Sequence, residues 1–261
     1  MTDLATLRGL VRSLAIYRAM PWRRRAQTRF YETLLHGDAL CFDVGAHAGS
    51  RTRALLGAGA RCVVALEPQP AFAALLAREF GNDRHVILDT RAVGDALGTA
   101  RLRVSSRHPT VSTLSDDMVE RVGASAGFEH VRWDRELEVK VTTLDALIDV
   151  HGVPDFCKID VEGHEARILD GLSRPVPLVS VEYLPAALDI ADACVARLLA
   201  LGDYRFNLCR GEDHRFVHAG WLEPDAIGAA LREASADGVS GDLYARLAVA
   251  PAGSRLRPPP T

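Results

Sequence analysis

The chain has 261 residues, 48% of them hydrophobic and 25% charged, with a net charge of −3 and an isoelectric point near 6.3. A chain of this size buries roughly 70–75% of its unfolded surface and needs no disulfide or metal to fold, and its overall field attracts neither nucleic acid nor anionic lipid. Five cysteines without CxxC spacing argue against a zinc site or a disulfide framework, and free thiols fit a reducing compartment, with the cytoplasm as the expected location.

Met1 to Arg29 carries seven arginines between leucines and aromatics. Arg8, Arg12 and Arg18 interrupt any signal-peptide core, and no apolar run approaches the roughly 18–20 residues of a membrane span. Residues 1–20 read as an amphipathic helix whose stripe of Leu7, Leu10, Val11 and Leu14 packs on the domain or on a second copy of the chain; a membrane-surface helix is the rival reading. Pro21 stops it, and Trp22 to Leu35 forms a second helix with Phe30, Tyr31, Leu34 and Leu35 at helical spacing.

Strands and helices then alternate. The apolar run Ala39 to Val44 is a strand buried on both faces. It is followed by a turn with Gly45 and Gly49 and by a helix from Ser50 to Leu56. Arg61 to Leu66 is the second strand, ending at Glu67-Pro68; Pro70 to Phe80 is a helix; His85 to Leu88 is the third strand. Thr99 to Val104 and Glu136 to Thr142 alternate as half-exposed strands. The polar segment 105–135 between them reads as a lid or substrate loop. Thr143 caps a short helix, Leu144 to Val150. Asp155 to Val161 is a strand, Glu162 to Leu172 a helix, Val176 to Glu182 a strand and Ala186 to Leu201 a helix. Late strands near 203–209, 214–218 and 242–249 lack long helices and suggest an antiparallel edge. The proline-rich end, 251–261, reads as a disordered tail. The organisation is thus a helical extension over 1–37, a domain over 38–250 and a tail. The fold class is α/β: a Rossmann-like, mostly parallel, doubly wound sheet with antiparallel late strands.

In such a sheet ligands bind outside the carboxyl ends of the strands. Those ends carry Asp43, Glu67, Asp89 or its followers, Asp160 with Glu162, and Glu182, each placed where a buried apolar run stops. Glu67 lies 22 positions beyond Gly45, the place of an acid that holds a ribose diol in NAD and S-adenosylmethionine sites alike. The turn Gly45-Ala46-His47-Ala48-Gly49 puts His47 where a dinucleotide site needs its middle glycine. Asp43 would repel a pyrophosphate, yet can balance a sulfonium and an ammonium. S-adenosylmethionine is the better fit.

The residues that support this reading also carry a resemblance. Phe42-Asp43-Val44-Gly45-Ala46-His47-Ala48-Gly49, Glu67-Pro68, Thr143-Leu144-Asp145 and Lys158-Ile159-Asp160-Val161-Glu162-Gly163-His164-Glu165 resemble the FkbM-type methyltransferases over about residues 30–250. The resemblance implies a Rossmann-like class I methyltransferase fold and S-adenosylmethionine as cofactor. It also implies O-methylation of a hydroxyl on a small metabolite, a natural product or a sugar. Asp43, Gly45, His47, Gly49, Glu67, Ala92 and Asp160 are the expected cofactor residues, with Thr90 standing where the family often has asparagine.

Roles follow from the chemistry of methyl transfer, which needs alignment and a proton acceptor. Asp160 orients acceptor or donor. Glu162 and His164 open the following helix, and His164 is the first choice of base. Lys158 is expected to pair with Asp160. His108, Glu182 and Tyr183 are expected to touch the substrate. A Mg²⁺ ion on Asp160, Glu162, His164 and Glu182 is considered and set aside, so no metal is assigned. The competing functions are a nicotinamide-dependent oxidoreductase on a similar fold and a non-catalytic partner protein that assembles through residues 1–37.

Overall fold

The computed structural model describes residues 21–123, 131–249 and 253–257. The helix expected over residues 1–20 lies outside the described residues. The first described helix, α1 (Pro21–Leu34), begins at the proline instead of after it. Proline suits a first helical turn, where its missing N–H costs nothing.

Next come β1 (Leu40–Val44), α2 (Ser50–Gly57), β2 (Cys62–Leu66), α3 (Pro70–Phe80) and β3 (Val86–Asp89), within a residue or two of the sequence expectation. A small excursion follows, comprising β4 (Ala92–Val93), β5 (Gly98–Val104), α4 (Asp116–Gly123) and β6 (Arg135–Thr142). The main alternation resumes with α5 (Leu144–His151), β7 (Phe156–Ile159), α6 (Glu165–Asp170), β8 (Leu178–Tyr183) and α7 (Leu188–Leu201). The chain closes with β9 (Tyr204–Arg210), α8 (Pro224–Ala234) and β10 (Gly241–Leu247).

Seven strands form one sheet in the order β3-β2-β1-β7-β8-β10-β9. All run parallel except β10, which is antiparallel to both its neighbours. A second sheet, β4-β6-β5, joins the two half-exposed strands to each other and keeps them out of the main sheet. The chain reverses direction of growth at β1, whose neighbours are β2 and β7. The crevice above their carboxyl ends is therefore where the topology places a ligand.

Several expectations change. The region after β9 holds an 11-residue helix, α8, whose Ile227, Ala230, Leu231 and Ala234 are buried, so the late segment is not helix-free. Residues 214–218 make only an isolated bridge, Cys209 to Phe216. The helix expected from Glu162 starts at Glu165, because Glu162 and Gly163 adopt positive φ (60° and 92°) and close a turn first. Helix α1 is not a separate extension: Phe30, Tyr31, Leu34 and Leu35 are buried with Phe156 and Tyr244 of the central sheet. Residues 253–257, assigned to a disordered tail by composition, return to this face. Leu256 bridges to Leu35, and Arg257 N–H donates to Leu34 O at 2.9 Å. Among the described residues no helix is long and apolar enough to cross a membrane.

The sheet's centre carries a buried charge. Lys158, on β7, is fully buried and donates to Asp242 of β10, not to Asp160 as the sequence suggested. Burial alone would push the ammonium pKa down, but Asp242 and Asp160 outweigh it and hold the group charged. Removing one partner of such a pair is costly because the other remains desolvated. Asp242→Asn is expected to lower the urea-unfolding free energy by about 3–5 kcal/mol, and the pair Lys158→Met, Asp242→Leu to recover most of that loss.

Candidate functional site

The two glycines of the first turn serve different approaches. A Cβ on Gly45, at φ 80°, would overlap the Asp160 carbonyl oxygen, so glycine lets the ends of β1 and β7 come together. A Cβ on Gly49, at φ 76°, would lie 2.7 Å from the Phe80 ring and 2.8 Å from Leu76, so glycine lets α2 start against α3. Gly45 and Ala46 both donate to Leu66 O at 3.0 Å, which pins the turn to the end of β2.

His47 takes a left-handed conformation (φ 46°) that turns its N–H to Glu67 Oε2 at 2.9 Å. Glu67 Oε1 accepts from Gln69 N–H at 2.8 Å, and the residue is 1% exposed. Burial raises the Glu67 pKa, partly offset by His47 and these backbone donors. The carboxylate is thereby fixed at the cleft wall, each oxygen keeping a second lone pair for a ligand hydroxyl. Gln69 is held in turn, donating from Nε2 to Pro109 O at 2.9 Å.

The cleft that runs from Gly45 past Glu67 is walled by Ala92, Thr113, Asp160 and His164. Ala92 thus stands where the sequence placed it. Of the segment expected to be a lid or substrate loop, residues 124–130 lie outside the described residues; its first part forms a wall, with Ser105, Ser106, Ser112 and Thr113 buried and Thr113 exchanging backbone hydrogen bonds with Arg103. His108, half-buried, donates its N–H to Ser105 Oγ at 3.3 Å and does not line the cleft.

Asp43 does not reach the cleft. Fully buried, it accepts from Thr52 Oγ1 at 2.6 Å and lies 3.7 Å from Arg51, so it anchors the start of α2 and lines neither this cleft nor the cavity beside it. Tyr183 is also removed from the substrate: it is 1% exposed and donates its hydroxyl to Cys209 O.

Asp160 is the meeting point. Arg51 Nη2 donates to its Oδ2 at 2.6 Å. Burial would raise the Asp160 pKa, but Arg51 and Lys158 outweigh it and hold the carboxylate ionised, below the usual carboxylate range. Asp160, Glu162 and Glu182 bring carboxylate oxygens within 4.8 Å of one another. With Arg51 on Asp160 and Lys158 on Asp242, Glu162 and Glu182 lie close together without a hydrogen-bonded cation among the described residues. Burial first, then the neighbouring carboxylates (Asp160 and Glu165 for Glu162; Glu162, Asp160 and Glu165 for Glu182), raise both pKa values well above the ordinary glutamate range. Crowding of this kind is answered by a shared proton or by a cation. Glu165 acts elsewhere, on the backbone. Its Oε1 accepts from Val161 and Gly163 N–H at 3.1 and 3.2 Å, closing the turn that aims Asp160.

His164 lines the cleft, yet the charges that act on it are Asp95 and Arg167, not the acidic group. Burial depresses its pKa, so the ring is neutral. A second cavity, of about 270 Å³, shares Gly45, His47 and Asp160 with the cleft and is also lined by Arg51 and His214. Sequence reasoning missed Arg51, Gln69 and His214. Arg51 had a signal, being a cation in the first turn of a helix that follows buried Asp43.

Residues 43–208 match the family described as the methyltransferase FkbM domain. This chain belongs to that family. S-adenosylmethionine is accordingly its cofactor, and the residues suit it: Glu67 offers a fixed carboxylate for a ribose, and the glycine turn leaves room beside Asp160. Among solved structures the chain is similar to the methyltransferase FkbM of Methylobacillus flagellatus (17% identity, 80% of this chain and 43% of that one, TM-score 0.48). It therefore spans less than half the length of that protein. It is also similar to a precorrin-6y C5,15-methyltransferase of Geobacter metallireducens (14% identity, 86% and 87% of the two chains, TM-score 0.44). A third likeness is to the O-methyltransferase TomG of Streptomyces achromogenes, solved with the cofactor (12% identity, 95% and 91%, TM-score 0.42). No curated protein sequence matches.

The raised pKa of Glu182 has a sign that can be checked. Its folded value lies above its unfolded one, so the penalty is absent below the ordinary glutamate pKa of about 4.3, grows as pH rises from there toward the folded value, and is complete above it. Glu182→Gln should raise the thermal midpoint at pH 8, and the gain should vanish near pH 4, as read by calorimetric melts across that range.

Proposed function

We propose that the protein O-methylates a hydroxyl of a small metabolite. The observation that carries this reading is that Asp160 lies at the junction of the cofactor cleft and a second, polar cavity able to hold an acceptor. The cofactor, when bound, supplies an electrophilic methyl group.

The chain's residues do the rest. Glu67 accepts the ribose hydroxyls, with its carboxylate pre-oriented by His47 and Gln69 so that little ordering is left for the ligand to impose. Gly45, His47 and Gly49 shape the turn against the cofactor's amino-acid end. The N-terminus of α2, which has no side-chain cap, offers free N–H groups to its carboxylate. Asp160, fixed by Arg51, orients the acceptor hydroxyl; held ionised and salt-bridged, it is a poor proton acceptor.

A neutral histidine is better suited as the base. His164 lies in the cleft that the cofactor fills, and we assign it to the cofactor side. His214 lines the acceptor cavity, and burial depresses its pKa. Its Nε2 faces Glu212 at 3.6 Å, which leaves Nδ1 to take the acceptor's proton. Glu162 and Glu182 are assigned to the acceptor end of the site, where a protonated carboxyl can donate to a substrate oxygen.

Calorimetric titration with S-adenosylhomocysteine, with NAD⁺ alongside, tests the cofactor part. Micromolar binding of the first ligand alone is expected. Glu67→Ala should weaken it at least about 10-fold, the scale of hydrogen bonds to a charged group. Binding of NAD⁺ alone would restore the oxidoreductase reading, and binding of neither would favour a non-catalytic partner.

A further inference from the structure

The acceptor cavity is lined by four arginines, Arg23, Arg24, Arg51 and Arg53, against two carboxylates, Asp160 and Glu212. Two of the arginines are spoken for, since Arg51 pairs with Asp160 and Arg53 with Glu79. Arg23 and Arg24 make no ion pair among the described residues. They project from the first turn of α1 toward the start of α2. The cofactor brings one carboxylate, assigned above to the N-terminus of α2, and with its sulfonium and ammonium it carries a net positive charge, so it leaves Arg23 and Arg24 without an anion.

Two polar atoms beside the cavity add to this. Among the described residues Ser50 Oγ and Arg51 Nε have no hydrogen-bond partner, and both residues line the cavity. Buried donors of this kind are costly unless something accepts from them. Two adjacent guanidinium forks together with a hydroxyl offer more donors than a carboxylate's two oxygens use. A phosphate ester presents three oxygens and more charge.

We propose that the acceptor is a hydroxyl compound bearing a phosphate or diphosphate group, which Arg23 and Arg24 hold in this cavity while the hydroxyl lies beside Asp160. The assignment rests on the methyltransferase reading and narrows its substrate class. It also accounts for the position of α1: the helix whose Phe30 and Tyr31 lock it to the sheet carries the anion-binding side chains at its opposite end.

The test uses the full chain saturated with S-adenosylhomocysteine and titrated with inorganic pyrophosphate. Binding is expected, with an affinity that falls as salt rises. Arg23→Ala with Arg24→Ala should weaken it at least about 10-fold while leaving S-adenosylhomocysteine affinity within about twofold. Arg25→Ala, exposed and outside the cavity wall, should change neither. Three results would each overturn the proposal: no pyrophosphate binding to the loaded protein, binding unchanged in the double variant, or malonate binding as tightly as pyrophosphate. A parallel loss of S-adenosylhomocysteine affinity would assign the arginines to the cofactor's carboxylate and overturn it as well. Capture by vesicles containing phosphatidic acid without pyrophosphate binding would instead make the arginines a membrane contact. If S-adenosylhomocysteine fails to bind the wild type, the methyltransferase reading falls first and takes this one with it.

Discussion

The site depends on one guanidinium. Arg51 reaches from the first turn of α2 to Asp160 at the end of β7 and to Asp43 within β1. It therefore ties together the glycine turn, the central strand and the turn that follows it. Arg51 is also the largest of the charges that hold the Asp160 carboxylate below the usual range against its burial. With it, Asp160 is held charged and aimed between two cavities. The remaining carboxylates, Glu162 and Glu182, are left to settle their repulsion by protonation. One cation thus divides a cluster of acids into a fixed anion and a protonatable pair.

The backbone prepares this arrangement. Gly45 permits the close approach of β1 to the Asp160 carbonyl, and the left-handed turn at Glu162 and Gly163, closed by Glu165, sets the direction of the chain after β7. Glu67 plays the matching part on the other side, joining the glycine turn to the end of β2 through two backbone donors. Both acids hold loops in shape, and Glu67 also lines the cleft. A substitution at either therefore acts on the geometry of the site.

Much of this was legible in the sequence. The buried strands announced themselves as unbroken apolar runs, and Pro70 to Phe80 gave both helix ends. The spacing of Gly45 and Glu67 pointed to the cleft that these two residues line. What could not be read was the direction of side chains from strands buried on both faces. Asp43 and Asp160 end neighbouring strands with the same composition around them, yet one faces a helix and the other a cavity. Tyr183 follows Glu182 by one residue and so points to the opposite face. Lys158 and Asp160 share a strand face, but the partner of Lys158 comes from β10, far along the chain, and local spacing carries no trace of it. Helix α8 was passed over although Pro224 and Asp225 open it in the usual way. Arg23 and Arg24 were counted as part of a basic segment, since only the tertiary position of α1 distinguishes a cavity wall from a solvated face.

The position of β10 has a consequence for how the molecule is made. This strand, the last one described in the chain, inserts between β8 and β9 and brings Asp242 to the ammonium of Lys158 in the sheet's centre. Until Leu247 has left the ribosome, β8 lacks a neighbour on one side and a charge at the heart of the site lacks its counter-ion. The N-terminal half can collapse early around its local βαβ contacts, but the binding site is completed by a long-range pairing, the slow kind. A nascent or C-terminally clipped chain would expose a bare strand edge beside an unpaired lysine, which is a surface for chaperones and proteases to recognise. Binding competence therefore waits on the emergence of β10.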